Sequence, residues 1–476
     1  MDIKALNSMD ATWLYIESPN TPMNVAGLLI FELPDGAAPE FFQRLIENWR
    51  KQTTFYPPWN RKLRDVRLKR LSHAWIDDKS VDINYHVRQS ALPWPGGKQE
   101  LRELIARLHG RPLDLRRPPW ECYVIQGLEG RRFALYLKMH HALIDGVSAM
   151  RLMDHLLAKD PVSQSVPAFW AIPPRTGQPC SALPAASTSN VIDGSGSSRN
   201  SRPDLAEAAR RLLQVVLGKD DALAAPFRAP KCVLNERVGG QRQFAMQIFS
   251  LTRFKALAKA ARCSLNDLVL AICGTAIRRF LLDMDALPTQ SLTAGIPVSV
   301  RPKGDTEQGN AITFMIATLG TDIADPVERL AAIIMSTRQA KRYLKSLPKS
   351  AIEGHTMMLI GPYMLQLFSG FAGRMRPVFN VTISNVPGPE QILYLGDAKL
   401  VANYPVSLVT QGQALNITCH GYADTLNFGF VGCGDTVPDV ERIAAYTEEA
   451  LDELEARLLS TQKERRKAPA EAVALS

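Results

Sequence analysis

Hydrophobic and polar positions alternate from Phe133 to His140. Phe133, Leu135, Leu137 and Met139 share one face of an extended chain, and Ala134, Tyr136, Lys138 and His140 share the other. That period of two predicts a β-strand. The period then lengthens: Val147, Met150, Met153, Leu156 and Leu157 recur every three or four residues, which predicts a helix. Between the two runs lies His140-His141-Ala142-Leu143-Ile144-Asp145-Gly146. Two histidines therefore end a strand, and an Asp-Gly pair opens a helix. Side chains at such a junction can face a cleft while regular structure holds them still.

The same reading orders the rest of the chain. Before the histidines it predicts strands at 25–31, 83–87 and 122–126, and amphipathic helices at 39–50 and 99–108. Residues 10–23 read as a mixed segment with no clear period. Pro118-Pro119 holds an extended loop ahead of Trp120, a pattern whose plainest reading is a structural turn with a packed Trp. Residues 160–203 are rich in Ser, Pro, Ala, Gly and Thr and read as a linker, with Phe169 and Trp170 available to pack on a domain. Beyond it come helices at 203–216, 252–261, 264–280, 329–346, 352–373 and 440–459. Strands are predicted at 243–251, 292–300, 379–385, 398–402, 414–419 and 425–431. Strands and helices mix without strict alternation, so the fold class is α+β rather than a doubly wound sheet. The division is a first lobe over 1–165, a linker over 166–203, a second lobe over 204–462 and a disordered polar tail over 463–476.

Composition narrows the partners. An apolar fraction of 46% suits a core-forming chain of 476 residues. The net charge of +9 favours anionic partners such as phosphorylated small molecules or lipid surfaces. Nucleic acid is not expected, because no zinc-finger spacing, RNP-type motif or basic leucine-zipper pattern occurs. Seven cysteines are scattered without a C-x-x-C pair, which fits a reducing cytoplasm and no structural zinc. No basic region leads into an apolar core near Met1, so no signal peptide is expected. The uncharged stretch 356–373 is broken by Gly361-Pro362 and reads as a buried helix or membrane-surface element rather than a span.

The chemistry rests on the histidine pair. A histidine titrates near neutrality and can take a proton from a hydroxyl as it attacks. His141, nearer the turn, is the candidate general base, and His140 braces it from the opposite face of the strand. Asp145 suits an architectural role, capping the helix or orienting the motif, and Gly146 permits close backbone approach. Adjacent histidines without an H-E-x-x-H pattern do not make a zinc site, so no metal is assigned. No G-x-S-x-G elbow is present for a serine hydrolase. Ser264 and Asp267 have capping-box spacing, the plain account of Asp267.

His140-His141-x-x-x-Asp145-Gly146 resembles the motif of the CoA-dependent acyltransferase and condensation-domain superfamily. Other segments narrow the resemblance to the bacterial wax ester synthase/diacylglycerol acyltransferase family. Pro118-Pro119-Trp120 resembles its PLW element, with Pro119 where Leu is usual. Asn266-Asp267 resembles its ND element, and Ser384-Asn385-Val386-Pro387-Gly388-Pro389 its SNVPGP segment. The similarity runs from about Leu6 to Leu458. It implies two chloramphenicol-acetyltransferase-like lobes with an active-site tunnel at their interface. It implies transfer of a fatty acyl group from acyl-CoA, a substrate and not a cofactor, to a long-chain alcohol, to diacylglycerol or to both. It also implies that Asp145 pairs with an arginine of the second lobe, for which Arg301 is the candidate. Asn385 and amides near Gly146 are candidate oxyanion donors. No cysteine or serine is visibly placed to carry an acyl group, so direct transfer without an acyl-enzyme is expected. The expected location is cytoplasmic, peripheral on the inner face of a membrane or on lipid inclusions. Two alternatives are a condensation-type enzyme acting on carrier-protein-bound substrates and a noncatalytic lipid-binding protein.

Overall fold

The computed structural model describes residues 3–6, 8–37, 40–64, 74–144, 156–161, 166–173, 229–299, 312–347 and 349–473. In chain order the first half carries β1 (Ile3–Ala5), α1 (Ser8–Ile16), β2 (Asn24–Glu32), α2 (Phe41–Arg50), β3 (Arg61–Leu63) and β4 (Ala74–Asp77). It continues with α3 (Ile83–His86), β5 (Val87–Ala91), α4 (Lys98–His109), β6 (Trp120–Leu128) and β7 (Arg132–His140). The second half carries β8 (Arg242–Ser250), α5 (Leu251–Ala261), α6 (Leu265–Asp283), β9 (Thr293–Ser299), β10 (Ile312–Thr318), α7 (Pro326–Ser346) and α8 (Lys349–Phe368). It ends with β11 (Val381–Val386), β12 (Tyr394–Leu395), β13 (Ala398–Val406), β14 (Leu415–Tyr422), β15 (Thr425–Cys433) and α9 (Val440–Val473).

The alternation along β7 separates two environments. Phe133, Leu135, Leu137 and Met139 pack into the first lobe's own core with Phe31, Trp49, Trp120 and Trp170. Ala134 and Tyr136, on the other face, join a cluster that includes Phe244, Leu268 and Phe428 of the second half. The face that carries Lys138 and His140 is therefore the face turned toward the second lobe. Both of these polar residues are buried.

Two six-stranded mixed sheets organise the lobes, in the orders β12-β13-β2-β7-β6-β5 and β10-β9-β11-β14-β15-β8. A small sheet, β1-β4-β3, adds to the first half. Parallel pairs occur in each large sheet, β5 with β6 and β11 with both β9 and β14. The α+β class stands, as two sheet-rich lobes.

One segment departs from a division into consecutive lobes. Residues 394–406 belong to the second half by sequence, yet β13 pairs with β2 in the first-half sheet, Val406 opposite Ala26 and Lys399 opposite Glu32. The crossing strand also lies close against the second sheet. A Cβ at Gly429 would meet the Pro405 carbonyl oxygen at 1.8 Å, so only glycine allows the approach. Further bonds cross the same boundary. His109 Nε2 lies 2.8 Å from the Ser407 carbonyl, and the buried Arg242 guanidinium donates to the Asn20 carbonyl at 2.6 Å.

Four local expectations change. Residues read as a mixed segment contain α1, and 83–86 is a turn of helix ahead of β5 rather than strand. Asp82 caps that turn, its side chain accepting the Asn84 amide at 3.1 Å. Strands β1, β3, β4 and β12 have no counterpart among the predicted strands, and nor does β10. It is set by its antiparallel pairing with β9. The last helix runs to Val473, through most of the segment read as a disordered tail, where Ala, Glu, Lys and Arg favour helix. The helix predicted at 203–216, and most of the one after Gly146, lie outside the described residues.

Candidate active site

His140 ends β7, and His141 follows at the turn. Neighbouring residues of an extended chain point opposite ways, and the two rings have different surroundings. His140 is fully buried. Its amide donates to the Pro119 carbonyl at 2.9 Å, and its Nδ1 accepts the Ala142 amide at 3.1 Å. An accepting Nδ1 leaves the neutral ring's proton on Nε2, which lies 3.4 Å from Glu17 Oε1. His141 is only half-buried. Its amide donates to the Met23 carbonyl at 2.8 Å. Its ring stacks on Trp13, with centroids 4.0 Å apart and planes inclined by 30°.

Both histidines are thus positioned by one segment, α1 and the loop after it. That loop is tied in turn. The Ser18 and Thr21 hydroxyls are 2.7 Å apart, the Glu17 carboxylate accepts the Met23 amide at 3.4 Å, and Arg242 of the second lobe holds the Asn20 carbonyl. Sequence reasoning missed Trp13 and Glu17, which match no motif. The only signal is an acid closing a short apolar helix.

Behind the histidines lies a buried polar cluster. Lys138, on the same strand face as His140, donates from Nζ to the carbonyls of Leu108 (3.0 Å) and Arg111 (2.6 Å) at the end of α4. A cation at a helix C-terminus meets the favourable end of the dipole. Burial pulls the Lys138 ammonium down to about 8. Asn24, opposite His140 across the β2–β7 pair, donates to the same Arg111 carbonyl at 2.9 Å.

Beside Glu17 opens a cleft of about 370 Å³. Tyr15, Glu17 and Thr21 line it from the first half; Arg237, Phe368 and Gln411 line it from the second. It therefore lies between the lobes, one carboxylate away from His140, and its size suits a small-molecule site.

The other predicted residues fall in three groups. Asp145, Gly146 and Arg301 lie outside the described residues. Pro118 and Trp120 are scaffold: the Trp120 ring is fully buried between His86 and Trp170, and its Nε1 donates to the Trp59 carbonyl at 2.8 Å. Asp267 completes the capping box, with Oδ2 2.7 Å from the Ser264 hydroxyl, while its Oδ1 accepts the Thr337 hydroxyl at 2.7 Å. Asn266 is buried beside it, and its Nδ2 has no hydrogen-bond partner among the described residues. Asn385 is half-buried near the end of β11, opposite Cys419 on β14. Neither Asn266, Asp267 nor Asn385 makes a described hydrogen bond to the histidine segment.

Burial pushes the Cys122 and Cys263 thiols up to about 12 and the Cys232 thiol up to about 11. Among the described residues no group of three His, Cys, Asp or Glu side chains is placed to hold a metal ion, and no helix is long and apolar enough to cross a membrane.

Two mixed-sheet lobes meeting at a cleft, with a buried and a half-buried histidine at a strand end beside it, define a two-lobed acyltransferase architecture. Comparison with known proteins makes this specific. The wax ester synthase/diacylglycerol acyltransferase catalytic domain matches residues 6–269, and the C-terminal domain of the same family matches residues 308–455. A Mycobacterium tuberculosis protein carried under the name diacylglycerol O-acyltransferase is 42% identical, over 95% of this chain and 97% of its own. An O-acyltransferase of Acinetobacter baylyi is 35% identical, over 94% of this chain and 96% of its own. The solved wax ester synthase/diacylglycerol acyltransferase of Marinobacter aquaeolei is 34% identical and superposes with a TM-score of 0.76, over 96% of this chain and 99% of its own. The chain belongs to the wax ester synthase/diacylglycerol acyltransferase family and is an O-acyltransferase.

Proposed function

We propose that this enzyme transfers a fatty acyl group from acyl-CoA to a long-chain alcohol, to diacylglycerol or to both, with His141 as the general base. The observation that carries the assignment is the placement of His141. It is the half-buried member of the pair, it stacks on Trp13, and its neighbour His140 faces Glu17 at the cleft. His141 takes the proton of the acceptor hydroxyl as the oxygen attacks the thioester carbonyl. The tetrahedral intermediate expels CoA thiolate, which receives that proton back from His141. The imidazolium formed in between lies against the indole face, an interaction of about 0.5–2 kcal/mol. His140 and Asp145 act as braces.

The buried cysteine thiols support direct transfer, since a protonated, enclosed thiol is a poor nucleophile. The net charge of +9 complements the phosphates of CoA. Acyl-CoA enters as a substrate, and no cofactor takes part. Long-chain acceptors partition into lipid, so the enzyme works peripherally, at a membrane or an inclusion surface.

The test is thiol release from palmitoyl-CoA, run with hexadecanol and with diacylglycerol in parallel. Acceptor-dependent release is expected. Release no faster than without acceptor in both arms would overturn the reading.

A further inference from the structure

The last turns of α8 and the loop beyond it are anchored on one side and bare on the other. On the packed side, the Thr356 and Thr313 hydroxyls are 2.7 Å apart, and Leu359 is buried beside Phe379. The Tyr363 hydroxyl bonds that of Thr410, and Gln366 Nε2 donates to the Arg376 carbonyl at 2.9 Å. Gly370 and Gly373, at φ of +72° and +81°, turn the chain back so that Ala372 is buried against this base. On the bare side stand Leu365, Phe368, Phe371 and Met375, exposed by 68, 53, 50 and 51%. Elsewhere among the described residues large exposed apolar side chains occur singly or, as with Leu282 and Met284, in a pair. A rigidly held apolar cluster of this kind marks an interaction surface.

Its charge identifies the partner. Arg374 and Arg376 are exposed within the cluster, and Lys231 Nζ lies 3.3 Å from the Arg374 carbonyl. No acid occurs between Glu353 and Glu390. Glu236, whose backbone passes Gly373, is followed at once by Arg237, and Glu17, which shares the cleft with Phe368, is buried against His140. Apolar side chains ringed by cations match an anionic bilayer surface, with acyl chains below and phosphates above. A second copy of the chain fits poorly: a twofold contact would bring two cationic patches together with no acid between Glu353 and Glu390 to pair with Arg374 and Arg376. Position adds to the match. Phe368 also lines the inter-lobe cleft and stands edge-on to Tyr15, with ring centroids 6.1 Å apart.

We infer that residues 365–376 form a docking surface for an anionic phospholipid membrane, seating the cleft mouth at the lipid so that an apolar acceptor passes from bilayer to site without crossing water. The inference rests on the proposed reading for its lipid acceptor, but docking is measured separately from catalysis.

The experiment is flotation of the full chain with vesicles of phosphatidylcholine, alone or mixed with phosphatidylglycerol. The wild type is expected to float with the mixed vesicles and to be partly released by salt. Phe371→Glu with Met375→Glu is expected to weaken partition by on the order of a hundredfold. That variant keeps thiol release with detergent-dispersed hexadecanol and loses it with diacylglycerol embedded in vesicles. Arg374→Gln with Arg376→Gln lowers affinity for the mixed vesicles by about thirtyfold, leaving pure phosphatidylcholine binding unchanged. A wild type that does not float, a Glu variant that floats as the wild type does, or a dimer in sedimentation that the Glu variant splits would each overturn the inference. Docking that behaves as expected without any acceptor-dependent thiol release would instead sink the catalytic reading alone.

Discussion

β7 and β11 end in different ways, one in each large sheet. β7 ends in His140 and His141, and what holds them is largely side chains from α1 and its loop: a carboxylate at 3.4 Å and an indole face at 4.0 Å. β11 ends in the Ser384–Pro389 segment, and what holds it is backbone. A Cβ on Gly388 would lie 1.8 Å from the Gly421 carbonyl oxygen and 2.8 Å from His420 Nε2, and the Pro389 carbonyl accepts the Ala423 amide at 2.8 Å. Each end has a buried histidine beneath it. His140 faces an acid. His420 faces Asn403, with Nδ1 3.0 Å from the amide nitrogen, and burial pulls it down to about 4. On the proposed function, the contrast separates an end that orients reactive groups from an end that brings two segments of the chain close.

If that contrast is right, damage at the first end appears in turnover and damage at the second in stability. The largest effect is expected for His141→Ala, about a thousandfold in turnover with an unchanged circular-dichroism melt. Near-normal thiol release by this variant would break the comparison at its functional end. Gly388→Ala comes next, costing about 3 kcal/mol because the obstructing atom is backbone and cannot step aside. A urea midpoint equal to wild type would show that the close approach at β11 carries no stability.

Acid sharpens the contrast between the two ends. His420 at about 4, and His109 at about 3 in the inter-lobe contact, stay neutral in the fold, against 6.5 in the unfolded chain. Below pH 6.5 the unfolded state binds protons that the folded state refuses. Their contribution is therefore complete above 6.5 and is lost as pH falls toward the folded values. By about pH 5 each has given up about 2 kcal/mol. Urea midpoints measured across that range should fall, and less steeply in His420→Asn. Equal slopes would remove His420 from the account. The smallest effect is expected for Glu17→Gln, about fivefold in turnover, as the carboxylate facing His140 is replaced by a neutral amide. Unchanged turnover there would leave His140 braced by the backbone alone.

Much of this is legible in the amino-acid sequence. Alternation from Phe133 to His140 placed the histidines at a strand end, because side-chain direction in a strand follows parity. Ser264 and Asp267 announced their capping box, because that motif is local. Trp120 read as a packed scaffold residue and is one. Other features left no local trace. Glu17 and Trp13 sit in a segment with no clear period, and their meaning comes from contacts more than a hundred residues away. Strand β13 looked like any second-half strand, and no pattern within it says that its partner is β2.

The sequence by itself determined the local order: which residues form strands and helices, where helices begin, and which two imidazoles stand at a turn. Periodicity, capping and turn chemistry act over a few residues, so they can be read from a few residues. Only the tertiary structure decided which imidazole is enclosed, which carboxylate faces it, which strand crosses between lobes and where the cleft opens. Those outcomes depend on burial and on long-range contact, which exist only once the two lobes have packed.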